Sequence, residues 1–303
     1  MRATHAFRRF RFFLFLAFLP AIWAVVCSRS PAPVTIMPLG DSITQGNRTY
    51  PSYRRPLWRT LQHGQYEVNF VGSRMLNKGG LAPHLDFDLD HQGQWGWTTA
   101  MLLPEIRQWS LDHQPDMVLL HAGTNDCFGP QPVEAIRDNL GRIIDQLRGG
   151  NPRVKVLLAQ LIPSAPPFAE LNAKITALNA LLPALARAKT TDQSPVVIVD
   201  QNTGFSREAG VDLHDGLHPN DQGQAKMAAR WYQALQAPGL LGKQPPAPRA
   251  SVVGDGSPLA GGSCTTCQRG ANALALASRK SGGSQLLPIR SEKGGVRGPS
   301  PVR

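Results

Sequence analysis

The sequence predicts an α/β protein, a three-layer α/β/α sandwich around a five-stranded parallel sheet. Four observations carry that prediction. Short strand-like segments recur at 34–39, 66–73, 116–123, 154–162 and 196–200, and most of them are apolar almost throughout, as strands covered on both faces must be. Helix-compatible segments lie between them, the pattern of parallel strands joined by crossovers. No stretch repeats itself with the 20- to 50-residue period of a solenoid. Finally, several strands run straight into turns of Gly, Ser, Asn and Asp, so that polar side chains collect at one end of the sheet.

The first strand, VTIMPL over 34–39, turns at Gly40 into Asp41 and Ser42. This triplet reads in two ways. All three residues favour turns. A serine at a strand-to-helix turn is also exposed by the chain reversal and lies near backbone N–H groups that favour negative charge. A helix is expected over 52–62 and a second strand in YEVNFVGS. Residues 74–94 read as a loop rich in Gly, Asp and His. Its alternating Asp86, Asp88 and Asp90 lack the Gly and terminal Glu of a calcium loop, so a solvated loop is expected. Gly93 and Gly96 mark a turn, and Thr98 or Thr99 caps a helix reaching about Trp109.

The third strand, DMVLLHAG, ends in Gly123-Thr124-Asn125-Asp126. Pro132 opens a helix to Arg148, with an apolar stripe at 133, 136, 140, 143, 144 and 147 that marks a core-facing side. VKVLLAQLI is the fourth strand, an Ala/Leu-rich helix fills 167–189, and VVIVD is the fifth strand. A loop then carries Asp215 and His218 into a last helix from about Asn220 to Leu235.

The net charge of +11 belongs to the ends of the chain. Residues 1–30 hold five arginines and no acid, and residues 241–303 hold nine Lys/Arg against two acids. Residues 31–240 hold 18 against 19. A nucleic-acid binder needs a basic face on its folded part, and a neutral body supplies no reason to expect one. The predicted organisation is therefore an N-terminal segment (1–30), one catalytic-sized domain (31–240) and a disordered basic tail rich in Pro, Gly and Ser (241–303).

In the N-terminal segment, Arg2, Arg8, Arg9 and Arg11 precede a 16-residue apolar run broken by Pro20. That is a charged region followed by a stretch too short to span a bilayer comfortably. It reads as an export signal or as a retained anchor, and places the protein outside the cytoplasm: secreted, periplasmic or at the cell surface. No stable membrane partner is expected unless the segment is retained. Of the four cysteines, Cys27 lies in this segment and Cys127 stands alone in the body. Cys264 and Cys267 form one CxxC in the tail, a weak metal signal without a second pair. No metal and no cofactor is expected.

Functional groups of such sheets gather outside the carboxyl ends of the strands. Ser42, Gly93 and Gly96, Asn125, and Asp215 with His218 all fall there. A serine hydroxyl becomes a useful nucleophile beside a base, and an imidazole oriented by a carboxylate serves as one. A developing oxyanion needs preorganised donors, which the Ser42 N–H, a glycine-loop N–H and the Asn125 amide supply. Asp41 and Asp126 are candidate supporting residues. Each motif alone is ordinary turn chemistry; their recurrence at successive strand ends is not.

Gly40-Asp41-Ser42, Gly96 within QWGWTT, Gly123-Thr124-Asn125-Asp126, and Asp215-Gly216-Leu217-His218-Pro219 resemble, in order, the four blocks of the SGNH (GDSL-type) hydrolases. The resemblance covers about 34 to 236 and implies a flavodoxin-like sandwich. IMPLGDSIT, SYRRPLW, NFVGS and DHQGQWGWTT resemble the acetylxylan esterases of carbohydrate esterase family 3. Carried over, Ser42 is the nucleophile, His218 the base and Asp215 its partner. Ser42, Gly96 and Asn125 form the oxyanion hole, Gly96 being preferred to Gly93 for its register with the second block. Trp95 stands where that family often has a small residue.

The implied activity is hydrolysis of O-acetyl or other short-chain esters, on polysaccharides such as acetylxylan, by a monomer. The substrate partner is an acetylated carbohydrate or another ester. A lipase or lysophospholipase on the same scaffold, or a carbohydrate-binding surface protein on an inactive one, are the alternatives. Trp95, Trp97 and Tyr53 are either a sugar-stacking platform or packing residues. His121 and His214 are expected to be structural or solvated.

Overall fold

In the computed structural model, residues 32–237, 240 and 241 are described. The sheet order is β2-β1-β4-β5-β6, every pair parallel. The strands are β1 (Val34–Gly40), β2 (Val68–Phe70), β4 (Met117–His121), β5 (Lys155–Ala159) and β6 (Val196–Val199). This is the expected five-stranded parallel sheet with one addition. A two-residue strand, β3 (Gln92–Gly93), pairs with the end of β1 through Leu39 and Gly40. β2 covers only the beginning of β1, at Val34 to Ile36. The chain therefore returns at β3 to pair the uncovered end, in a stretch where the sequence reads as loop.

Alternation within the strands builds two cores. Ile36 of β1 and Met117 and Leu119 of β4 face a layer formed with α2 (Arg54–His63) and α7 (Asp221–Leu235), through Leu57, Leu61, Met227 and Trp231. Met37, Leu39, Val118 and Leu120 face the other layer. There they meet Ile106 of α4 (Ile106–His113), Ile136, Leu140 and Ile144 of α5 (Val133–Gly150), and Leu178 and Leu182 of α6 (Asn172–Lys189). The α5 stripe is the core face its spacing predicts.

Three helices differ from their sequence reading. Ser42 opens a one-turn helix of its own, α1 (Ser42–Gln45), ahead of α2. The segment after Thr98 is two helices, α3 (Thr99–Leu102) and α4. Pro104 lies in the break, where it lacks a donor and restricts the residue before it. Finally, α6 starts at Asn172 behind a 3₁₀ turn.

The strand order places the switch point between β1 and β4. From β1 the chain goes outward to β2 on one side, then crosses to β4 on the other. The crevice outside the carboxyl ends of those two strands is where such sheets bind ligands. Gly40 makes the turn at its floor. A Cβ there would lie 2.1 Å from the His121 carbonyl oxygen and 2.6 Å from Thr44 Oγ1, so only glycine lets β1 run this close to β4 and into α1.

Candidate active site

Ser42 is the first residue of α1, capped by Asp41, whose Oδ1 accepts the Ile43 N–H at 3.0 Å. Asp41 is fully buried, and its Oδ2 has no partner. Burial pushes its pKa up to about 7, against the pull of the Ile43 N–H and of His218. The sequence marks Asp41 as a supporting residue; the structure makes it a helix cap with half its carboxyl unsatisfied.

The turn before α7 brings Asp215 and His218 to Ser42. His218 Nε2 lies 2.9 Å from Ser42 Oγ, and His218 Nδ1 lies 2.7 Å from Asp215 Oδ2. The other carboxylate oxygen, Oδ1, accepts the N–H groups of Leu217 and His218 at 2.9 and 2.7 Å. Burial raises the Asp215 pKa, but the His218 ring and these two N–H groups outweigh it and hold the carboxyl well below the ordinary range. A charged Asp215 in turn presents Nε2 of His218 as the atom facing the hydroxyl. Asn220, the α7 cap, accepts the Gly223 N–H and donates to the carbonyls of Gly210 and Val211, which anchors this turn to the helix.

The glycine loop and the β4 loop are tied together. Asn125 donates through Nδ2 to the Trp97 carbonyl at 3.0 Å, which leaves the second amide hydrogen free to point elsewhere. Asp126, buried, accepts the Thr99 N–H and hydroxyl at 2.8 and 2.6 Å. Gly96 is solvent-exposed at φ +77°, and a Cβ on it would meet nothing. The Gly93 N–H is already donated to His91 Nδ1 at 3.0 Å, so of the two glycines Gly96 has its N–H uncommitted among the described residues.

Residues the sequence reading passed over hold this loop. Gln45 Oε1 accepts the Trp95 N–H at 2.9 Å. Arg54, fully buried, donates to the carbonyls of Thr44, Gln45 and Leu89 and to Asn77 Oδ1. A full set of oxygen acceptors is what allows a guanidinium to be buried. Arg54 lies in SYRRPLW, one of the blocks of the resemblance, but its burial and its partners are not legible there, because buried polar partners leave no periodic trace.

The aromatic residues divide. Tyr53 is fully buried in the α2–α7 layer, so it cannot present a face to a sugar. Trp97 stacks on Trp109 and packs against the other core. Trp95 stacks on His218, with ring centroids 4.7 Å apart. His214 lies along His218 at 5.9 Å and stacks on Tyr50 at 4.2 Å. Burial holds the His214 pKa below its usual value. His121 is fully buried and its pKa is pushed down to about 4, so it is a neutral core residue.

The acidic loop is braced rather than merely solvated. Asp86 takes a paired contact from Arg55 at 2.7 and 2.8 Å, and Asp88 accepts the Phe70 N–H. The potential metal donors of His214, Asp215 and His218 lie within 4.8 Å of one another. The two imidazole planes are only 19° from parallel. Cys127 is a buried free thiol, while Cys27, Cys264 and Cys267 lie outside the described residues. Among the described residues, no helix is long and apolar enough to cross a membrane.

A serine, imidazole and carboxylate chain at the carboxyl rim of a parallel α/β sheet has the parts of a nucleophilic serine hydrolase site. Residues 39–226 match the model of the GDSL-like Lipase/Acylhydrolase family. The chain belongs to that family. It is 29% identical over 257 residues to a multidomain esterase of Ruminococcus flavefaciens, covering 76% of this chain and 32% of that protein. It is 26% identical over 227 residues to an acetylxylan esterase of Xylanibacter ruminicola, covering 65% and 43%. Among solved structures, a carbohydrate esterase family 3 protein from Talaromyces cellulolyticus is 32% identical with a TM-score of 0.59, covering 67% of this chain and 96% of that one. The chain spans about a third to a half of the length of the curated relatives it matches.

Proposed function

We propose that the protein is a secreted or cell-surface serine esterase that removes O-acetyl groups from polysaccharides such as acetylxylan, acting as a monomer through an acyl-enzyme. One observation carries the reading: the unbroken chain from Asp215 through His218 to Ser42, at 2.7 and 2.9 Å. The similarity to the acetylxylan esterase and the family 3 structure supports the substrate class. A pocket beside Ser42 is lined by Tyr50, Trp95 and His214.

In the first step Ser42 Oγ attacks the ester carbonyl carbon while its proton passes to His218 Nε2. The oxyanion forms against the N–H groups of Ser42 and Gly96 and the free Asn125 amide hydrogen. The tetrahedral species collapses, His218 returns the proton to the departing sugar hydroxyl, and an acetyl-serine remains. Water, deprotonated by His218, attacks that ester; acetate leaves and Ser42 regains its proton. Asp215 stabilises the imidazolium in both halves.

The test is hydrolysis of 4-nitrophenyl acetate by wild type and Ser42→Ala, with the decanoyl ester and acetylated xylan as further substrates. Acetyl-ester and xylan deacetylation lost in the variant supports the reading. Preference for the decanoyl ester supports the lipase alternative, and equal rates for both proteins overturn the serine mechanism.

A further inference from the structure

His218 is held between rings. The Trp95 indole covers it at 4.7 Å and 20°, and His214, itself stacked on Tyr50, lies along it at 5.9 Å and 19°. The stack is built from three separate segments: Tyr50 before α2, Trp95 after β3, and the turn before α7. Trp95 is fixed at its backbone by Gln45, the last residue of the helix that begins with Ser42. The clamp and the serine are therefore mounted on the same turn of chain.

We propose that Trp95 is a positioning residue for His218, and that its indole face favours the imidazolium that forms each time Ser42 gives up its proton. The proposal rests on the catalytic reading of Ser42 and His218 above. An aromatic face attracts a cation stacked on it. It also blocks rotation of the imidazole away from the hydroxyl on that side and keeps water off that face. His214, held below its usual pKa by burial, is the neutral wall behind. The indole thus acts on the charged form of His218, while His214 and Tyr50 act on its orientation.

The charged and titratable groups around His218 are few. Asp215 is on its own turn, and Asp41 acts on it from the cap of α1. His214 lies alongside. Lys78, exposed, places Nζ 5.9 Å from the Trp95 ring centroid. Lys78 is a second cation near the indole, so the variants are made with and without it.

The experiment follows the His218 ring by long-range ¹H–¹⁵N NMR across pH, beside the pH dependence of kcat/KM for 4-nitrophenyl acetate. The proteins are wild type, Trp95→Leu and Trp95→Phe, each alone and with Lys78→Gln. Trp95→Gln replaces the leucine variant if that one does not fold. Loss of the indole is expected to lower the His218 titration midpoint by about half a pH unit. The acidic limb of kcat/KM should shift to lower pH by the same amount, with kcat down about three- to tenfold and KM little changed. Phenylalanine should restore most of both. The NMR midpoint reads the stack even if the protein shows no esterase activity, so failure of the clamp and failure of the catalytic reading are distinct results. An unmoved midpoint, a shift that vanishes with Lys78→Gln, a change in KM alone, or equal loss with phenylalanine and leucine would overturn the proposal.

Discussion

Nε2 of His218 stands 2.9 Å from Oγ of Ser42 across 176 residues of chain. One sits at the head of α1, the other in the turn before α7, and these helices lie on the sheet face that also carries Tyr53 and Trp231. The His218 turn is held by its own hydrogen bonds, including Asp215 Oδ1 with the Leu217 and His218 N–H groups, and by the Ala165 N–H donated to the Gly216 carbonyl.

Replacing either partner is expected to remove most of the rate. Ser42→Ala and His218→Ala should each lower kcat for 4-nitrophenyl acetate by at least about 10⁴-fold, and the double variant little further, because the two act as a unit. Steady-state kinetics on the three proteins checks this. Additive losses would mean that the two residues do not share one step.

Asn125→Ala removes the proposed oxyanion donor and the bond to the Trp97 carbonyl. The expected loss is about 10²- to 10³-fold in kcat, or about 3 kcal/mol. The melting temperature should fall by only about 2–4 °C, the effect of about 1 kcal/mol in a domain of this size. Full activity in this variant would remove Asn125 from the mechanism.

Asp41 gives a pH dependence of stability. Its folded pKa, about 7, lies above the ordinary carboxyl value, so the folded state binds the proton more tightly than the unfolded one. Its contribution is therefore fully present below about pH 4 and is lost as the pH rises through 7. Asp41→Asn keeps an acceptor for the Ile43 N–H and removes the charge. It should raise the melting temperature at pH 8, by an amount corresponding to about 2–4 kcal/mol, and change it little at pH 4. Thermal melts at both values test the sign.

Arg54 ties Thr44, Gln45, Asn77 and Leu89 together from a fully buried position. Arg54→Met should leave those acceptors unpaired and cost about 3–5 kcal/mol. Because Gln45 holds the Trp95 N–H, activity should fall with stability. Denaturant unfolding measures the first and an aryl acetate assay at low temperature the second. A variant with unchanged midpoint would show that the guanidinium is not what holds this loop.

The sequence by itself determined the layers and the rim. Strands buried on both faces must be apolar in both parities, and the α5 stripe must follow the helical period, so local pattern is enough to read them. The polar residues at the strand ends are legible for the same reason, since a parallel sheet collects those ends on one side. The resemblance named Ser42, Asp215 and His218 as partners, and the tertiary structure set their distances. The stacking of Trp95 on His218, the burial of Tyr53 and of the Asp41 carboxyl, and the two-residue β3 all depend on how distant segments pack. Such contacts have no period along the chain: each is set by the space that other elements leave.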